Sequence, residues 1–231
     1  MVHFEHELTG LKNALLTMAS HAESAVKQAI DAVTNRDYDL ALRVRAGDSV
    51  IDHFEVELDE LAIRLLAKAP LAGDLRLIAV TMKISQNLER VGDEATKIAK
   101  RARDLSQEPP LKLPPAIPQM ADLALQMLRT ALDAFVSQDT ATARALIPKD
   151  KQVDALNKEV HRQLANQMIE DPETISRCLN FMVVAKSLER IADHAKNVAE
   201  EVVYLCEAED IRHSGKTKAT LLSDERGGHA E

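Results

Sequence analysis

The sequence predicts an all-α chain built as two tandem three-helix bundles related by internal duplication, and three observations carry that prediction. Apolar residues recur at alternating spacings of three and four along almost the whole chain, which is the period of a helix face and not of a strand. Helix breakers are scarce: there are seven glycines and eight prolines in 231 residues, and four of those prolines sit in one stretch, 107–115. Short motifs return about 100 positions later on the far side of that stretch. The absence of Trp, with only four Phe and two Tyr, argues further against a sandwich or barrel.

Each element follows from these patterns. A first helix runs to the break Asn35-Arg36-Asp37. A second carries the stripe Val44, Ile51, Phe54, Leu58, Leu61 and Leu65, and ends at Ala69-Pro70-Leu71-Ala72-Gly73. A third carries Ile84, Leu88, Val91, Ala95, Ile98, Ala102 and Leu105, about six turns that call for partner helices along their length. The Pro-rich stretch reads as a stiff linker, after which the pattern repeats. Leu88-Glu89-Arg90-Val91-Gly92-Asp93 returns as Leu188-Glu189-Arg190-Ile191-Ala192-Asp193, 100 positions on. Asp48-Ser49-Val50-Ile51-Asp52 returns as Asp150-Lys151-Gln152-Val153-Asp154, and Asp31-Ala32-Val33 before Asp37 returns as Asp133-Ala134-Phe135 before Asp139, both at 102. The last long stripe, Phe181, Val184, Leu188, Ile191, Ala195, Val198, Val202 and Leu205, follows the break Glu170-Asp171-Pro172. Each half therefore reads as three long helices burying one another. The predicted organisation is a first bundle over 1–106, a linker over 107–115, a second bundle over 116–206 and a polar, flexible tail over 207–231. A single six-helix bundle is the lesser alternative.

Composition excludes several classes. With 45% hydrophobic and 29% charged residues, the chain is too apolar for disorder and too charged for a membrane bundle. The longest run without Asp, Glu, Lys or Arg is the ten residues from Asn13 to Ala22, against about 20 needed to span a bilayer. The N-terminus shows no secretion signal. Cys178 and Cys206 lack paired spacing and are expected as buried thiols in a reducing cytosol. A net charge of −8 disfavours nucleic acid and favours cations or basic protein surfaces.

The chemistry lies in the carboxylates. Asp48/Asp52 and Glu89/Asp93 in the first half recur as Asp150/Asp154 and Glu189/Asp193 in the second. Residues four apart stack on one helix face, where two carboxylates repel by roughly 0.2–0.5 kcal/mol in an isolated helix. A chain that makes this unfavourable choice four times is expected to offset it with bound cations. At 100° per residue, Glu89 and Asp93 point about 150° away from the seam of Leu88 and Val91, hence outward. The prediction is one all-oxygen cation site on each bundle, made by Asp48, Asp52, Glu89 and Asp93 and by Asp150, Asp154, Glu189 and Asp193, suited to Mg²⁺, Mn²⁺ and iron above Zn²⁺. The competing reading is a solvated acidic face. His194 follows Asp193, but Glu94 stands at the equivalent place, so an imidazole ligand would serve one site only. No Glu precedes any of the eight histidines by three residues, which removes the di-iron bundle pattern, and there is no Gly-rich phosphate loop. Arg90 and Arg190 are expected to balance the acidic pairs, with an anion bridged to a metal as their other possible role. Met18, Met82 and Met182 read as core filler.

Pro70-Leu71-Ala72-Gly73-Asp74-Leu75-Arg76-Leu77-Ile78, the Leu88 to Asp93 motif, and Leu188-Glu189-Arg190-Ile191-Ala192-Asp193-His194-Ala195-Lys196-Asn197-Val198-Ala199-Glu200 form a set of three segments. Together they resemble the PhoU family, the accessory regulators of bacterial phosphate-specific transport. The resemblance spans about residues 4–206. It implies two three-helix bundles and acidic motifs that bind metal clusters, falling here on Glu89/Asp93 and Glu189/Asp193, with Asp48/Asp52 and Asp150/Asp154 facing them. The metal ions it implies are iron, Mn, Mg or Zn. The first repeat departs from the usual pattern at Glu94 and Lys97, and the second at Ala192, so equal metal content in the two sites is not expected to follow. The resemblance also implies a non-enzymatic, cytoplasmic homodimer that associates peripherally with membrane complexes, without nucleic acid or membrane insertion. Such a protein would link the ATPase subunit of the phosphate ABC transporter to a phosphate-sensing membrane histidine kinase and keep the phosphate regulon off. The alternative is a divergent helical protein that handles metal or phosphate with no kinase partner.

Overall fold

The computed structural model describes residues 2–69 and 71–211, and every regular element among them is helical. Helices α1 (Val2–Asn35), α2 (Tyr38–Leu66) and α3 (Ala72–Gln107) make the first bundle. Helices α4 (Ala116–Ser137), α5 (Thr140–Leu146), α6 (Asp150–Glu170) and α7 (Ile175–Glu207) make the second. The second half therefore departs from three long helices. Pro148 lacks the N–H that an α-helix needs and crowds the carbonyl four residues back, so a 3₁₀ turn, Ile147–Lys149, divides the counterpart of α2 into α5 and α6. The expected tail falls mostly outside the described residues; within them, Glu207 and Glu209 pair with Arg144 at 2.5 and 3.2 Å.

The duplication is visible in the turns as well as the helices. Arg36 and Gln138 both take the left-handed conformation, each with φ of 54°. Asp37 and Asp139 follow them, each donating its N–H back to an alanine carbonyl, Ala32 or Ala134, at 3.0 Å. Both aspartates then cap the next helix, Asp37 accepting from the Leu40 N–H at 2.8 Å and Asp139 from the Thr142 N–H at 3.1 Å. A side-chain cap of this kind is worth about 1 kcal/mol.

Both long central stripes are buried over their whole length. Ile84 to Leu105 on α3 and Phe181 to Leu205 on α7 are each 7% exposed or less at every stripe position. On α2, Val44, Ile51, Leu58 and Leu65 are buried, whereas Phe54 and Leu61 are covered only in part. Full burial of each Val, Leu, Ile or Phe in these stripes contributes roughly 1.5–3 kcal/mol. The Cys expectation holds for Cys178 alone, since Cys206 is exposed near the end of α7.

Helices α3 and α7 also pack against each other, so the bundles share an interface. Lys83 on α3 pairs with the buried Glu201 on α7 at 3.0 Å, and its ammonium lies 5.0 Å from the centre of the Tyr204 ring. Arg76 donates to the Leu205 carbonyl at 3.3 Å. The segment between the bundles is tied down at several points: Arg36 donates to the Glu108 carbonyl, Arg177 to the Pro109 carbonyl at 3.2 Å, and Ser176 to the Glu108 side chain at 2.9 Å. No helix among the described residues is long and apolar enough to cross a membrane.

Candidate cation-binding grooves

The first groove lies where α2 packs on α3. The close approach has a sequence cause: a Cβ on Gly92 would stand 2.8 Å from Ile51 Cδ1 and 3.5 Å from Asp48 Oδ1. The bare glycine lets Ile51 seat against α3 and lays Asp48 over it. The second bundle carries Ala192 and Val153 at the equivalent places, one carbon more on one helix and one fewer on the other.

Asp48, Asp52, Glu89 and Asp93 come together in this groove. Burial pushes the Asp48 carboxyl above its ordinary range, against a hydrogen bond from Thr96, and the charges of Asp52 and Asp93 raise it further. Burial likewise raises Glu89, reinforced by Asp93, Glu55 and Asp52 and opposed by Arg90. Glu55 is raised by burial and then by Asp59 and Asp52. Like charges that each disfavour ionisation of the next define a site short of positive charge. No ion pair reaches any of these six carboxylates among the described residues, and one buried oxygen of Asp59 has no hydrogen-bond donor.

The second groove, where α6 packs on α7, is chemically different. Asp150 is 8% exposed. One of its oxygens accepts from Lys196 at 2.9 Å while the other is buried without a donor. Lys196 also reaches Asp193 at 2.9 Å, so one ammonium bridges two carboxylates from facing helices. Its pKa is driven upward because hydrogen bonds and charge from Asp150 and Asp193 overcome the burial that opposes them. Asp154 adds its charge beside Asp150. Glu189 is drawn instead to Lys186 at 2.5 Å. Asp150, Asp154 and Asp193 thus share one site, with Glu189 tied to its own helix.

Among the described residues, no three His, Cys, Asp or Glu side chains converge closely enough to hold one ion as they stand. The donor chemistry still fits a hard cation. The groups lining both grooves are carboxylate oxygens, the first groove has no counter-charge within ion-pair reach among the described residues, and the Lys196 ammonium marks a cation position between facing helices.

Between the grooves, α3 and α7 enclose an open cleft of about 460 Å³, lined by Arg90, Asp93, Glu94 and Lys97 on one side and Arg190, Asp193, His194 and Asn197 on the other, so that one predicted site residue from each bundle faces it. Glu94, 4% exposed, accepts from Lys97 at 2.9 Å and from Arg190 at 3.2 Å. Burial acts to raise Glu94, but bonds from Ser187, Lys97 and Arg190 together hold it below the usual range. His194 Nδ1 lies 3.1 Å from Asn87 Oδ1, so the ring donates there, and burial with the Arg90 charge pushes its pKa down. Arg190 therefore serves a carboxylate of the other bundle and not its own acidic pair.

Sequence reasoning passed over Glu55, Asp59 and Lys196, and noted Glu94 only as a departure from the repeat without giving it a partner. The first two were legible, because 48, 52, 55 and 59 step by four, three and four along one helix face. Lys196 is three residues beyond Asp193, on the same face. Nothing local marks Glu94, whose burial arises only from the packing of one bundle on the other.

Fold and grooves together define a class: tandem, duplicated helical bundles with an acidic groove on each. The family model described as the PhoU domain matches residues 15–102 and again 117–202, once on each bundle. The chain belongs to the PhoU family. It is 41% identical to the "Phosphate-specific transport system accessory protein PhoU homolog" of Pseudomonas aeruginosa, over 93% of this chain and 90% of the relative. Against the "Phosphate-specific transport system accessory protein PhoU" of Escherichia coli K12 the identity is 37%, over 92% and 88%. The crystal structure of PhoU from P. aeruginosa superposes with a TM-score of 0.84 at 40% identity, covering 89% of this chain and 100% of that one. That of the phosphate transport system regulatory protein PhoU from Streptococcus pneumoniae gives a TM-score of 0.84 at 27% identity, over 90% and 99%.

Proposed function

We propose that this chain is an accessory protein of a phosphate-specific transport system, acting as an adaptor and not as an enzyme. The observation that carries the reading is near full-length similarity to relatives so named, at 41% and 37% identity. In this reading the chain works on the cytoplasmic face, as a homodimer, between the ATPase subunit of the phosphate transporter and a phosphate-sensing histidine kinase. It holds phosphate-starvation genes off while phosphate is ample. The two acidic grooves bind iron, Mn, Mg or Zn, which would offset the crowding of Asp48, Asp52, Glu89 and Asp93 and of Asp150, Asp154, Glu189 and Asp193. The raising of Asp48, Glu55 and Glu89 by burial, reinforced by neighbouring carboxylates, supports that part, as does the donorless buried oxygen of Asp150. A bound cation would fix α2 against α3, and α6 against α7, and so set the outer face a partner meets.

Deleting the gene and following a phosphate-starvation reporter in phosphate-rich medium tests the proposal. Derepression, restored by the wild-type gene, is the expected result, with the transporter ATPase or the kinase co-purifying with the tagged chain. An unchanged reporter would overturn the adaptor role.

A further inference from the structure

The internal duplication supplies its own control: each groove shows what the other would be with different residues at matching positions. Lys196 and Thr96 are equivalent by the repeat of 100, and Asn157 and His161 match Glu55 and Asp59 by the repeat of 102. The first groove therefore gathers six carboxylates, with a threonine hydroxyl where the second has an ammonium. The second has four carboxylates, of which Asp150 and Asp193 are bridged by Lys196 at 2.9 Å each and Glu189 is paired with Lys186 at 2.5 Å. Two acids have been exchanged for neutral or weakly basic side chains, and a cation has been built in. Asp150 is the informative residue. It is 8% exposed, and its second oxygen is buried without a donor, so the ammonium satisfies only part of what the groove can bind.

We infer that the two grooves are unequal cation sites: Lys196 is a tethered cation that occupies the second, and a metal ion enters there only by displacing its ammonium from Asp150 and Asp193. The first groove has no such competitor and fills first. This rests on the reading of the grooves as metal sites and goes beyond it, because similar acidic pairs on two similar bundles would by themselves give equal affinities. The direction follows from electrostatics. A tethered ammonium about 3 Å from two carboxylates must be moved and rehydrated before a divalent ion can take its place, and two fewer carboxylates lend their negative charge to that groove. A tethered charge also cannot diffuse away, so it competes at a high effective concentration at every metal level.

The test is calorimetric titration of the full-length, chelator-stripped chain with Mn²⁺, with four variants alongside. In the wild type, one class of sites should bind at least tenfold more tightly than the other, and Glu89→Gln with Asp93→Asn should remove the tight class. Lys196→Thr should tighten the weak class by tenfold or more, whereas Lys196→Arg, which keeps a cation there, should leave it unchanged. The reciprocal Thr96→Lys should weaken the tight class, and it keeps the inference testable if Lys196→Thr fails to fold. Equal affinities in the wild type would overturn the inference while leaving the metal reading intact, as would a weak class that does not respond to Lys196→Thr. If no Mn²⁺ binds to the wild type or to Lys196→Thr, both fall together.

Discussion

Replacing Glu89 with Gln and Asp93 with Asn takes two charges out of the first groove and leaves the side-chain volumes almost unchanged. In the metal-free chain the substitution should stabilise. The i, i+4 pair repels by roughly 0.2–0.5 kcal/mol. Across the groove, Asp48, Asp52 and Glu55 add repulsion of similar order at these partly exposed positions, for a total of about 0.5–1.5 kcal/mol. In a chain of this size 1 kcal/mol moves the melting temperature by about 2–4 °C, so the variant should melt about 1–6 °C above the wild type after chelation. Added cation should reverse the order. Binding only to the folded state contributes roughly 2.7 kcal/mol at a hundredfold excess over Kd, or about 5–11 °C, and the variant should lose the share due to its first groove. Differential scanning calorimetry with chelator and then with Mn²⁺ reads both signs. Glu60→Gln is the control, since Glu60 is exposed and only loosely paired with Arg64, at 3.8 Å. A variant that melts well below the wild type without metal would refute the reasoning, because the pair would then be satisfied within the protein. So would a variant whose Mn²⁺ response matches the wild type.

Two further outcomes follow from the same geometry. Glu94→Gln should destabilise by about 1 kcal/mol in denaturant unfolding, because the charge-assisted bonds from Lys97 and Arg190 become neutral-acceptor bonds at a buried position; no change would mean that this contact contributes nothing to the union of the bundles. Acidity should act on the two sets of carboxylates in opposite directions. Asp48, Glu55 and Glu89 have raised native pKa values, so the cost of ionising them is relieved as pH falls from neutral through those values towards the ordinary 3.8 and 4.5. Glu94, Asp139 and Glu207 are lowered, so their contribution is present above the ordinary values and lost only as pH falls through the native ones. Burial also lowers His194, whose protonation costs stability as pH falls below its ordinary 6.5, so the relief is read as a difference: on mild acidification the chelated wild type should gain stability relative to Glu89→Gln before both collapse.

Periodicity made the helices legible because burial is a repeating demand: a stripe such as Ile84 to Leu105 can be read without knowing what covers it. The repeated acidic pairs were legible for the same reason, as residues four apart must share a helix face. What escaped depends on residues far apart in sequence. Arg190 stands beside an acidic pair in the chain but pairs with Glu94 of the other bundle, and Glu94 is buried by a helix about 100 residues away. Lys196 was in plain view, yet its bridge to Asp150 exists only once α6 lies on α7. The break at Pro148 was within reach of simple rules, since proline inside a helical pattern marks an interruption, and its neighbours' helical periodicity hid it.

Metal content tests the central claim most directly. The wild-type chain and the Glu89→Gln, Asp93→Asn variant, purified side by side without chelator, should be analysed by elemental mass spectrometry and melted before and after chelation. Bound iron, Mn, Mg or Zn is expected in the wild type, with a melting temperature that falls on chelation, and less metal with a smaller fall in the variant. A wild-type chain that carries no metal, and whose melt is unmoved by Mg²⁺, Mn²⁺, Zn²⁺ or iron, would contradict it and leave both grooves as solvated acidic faces.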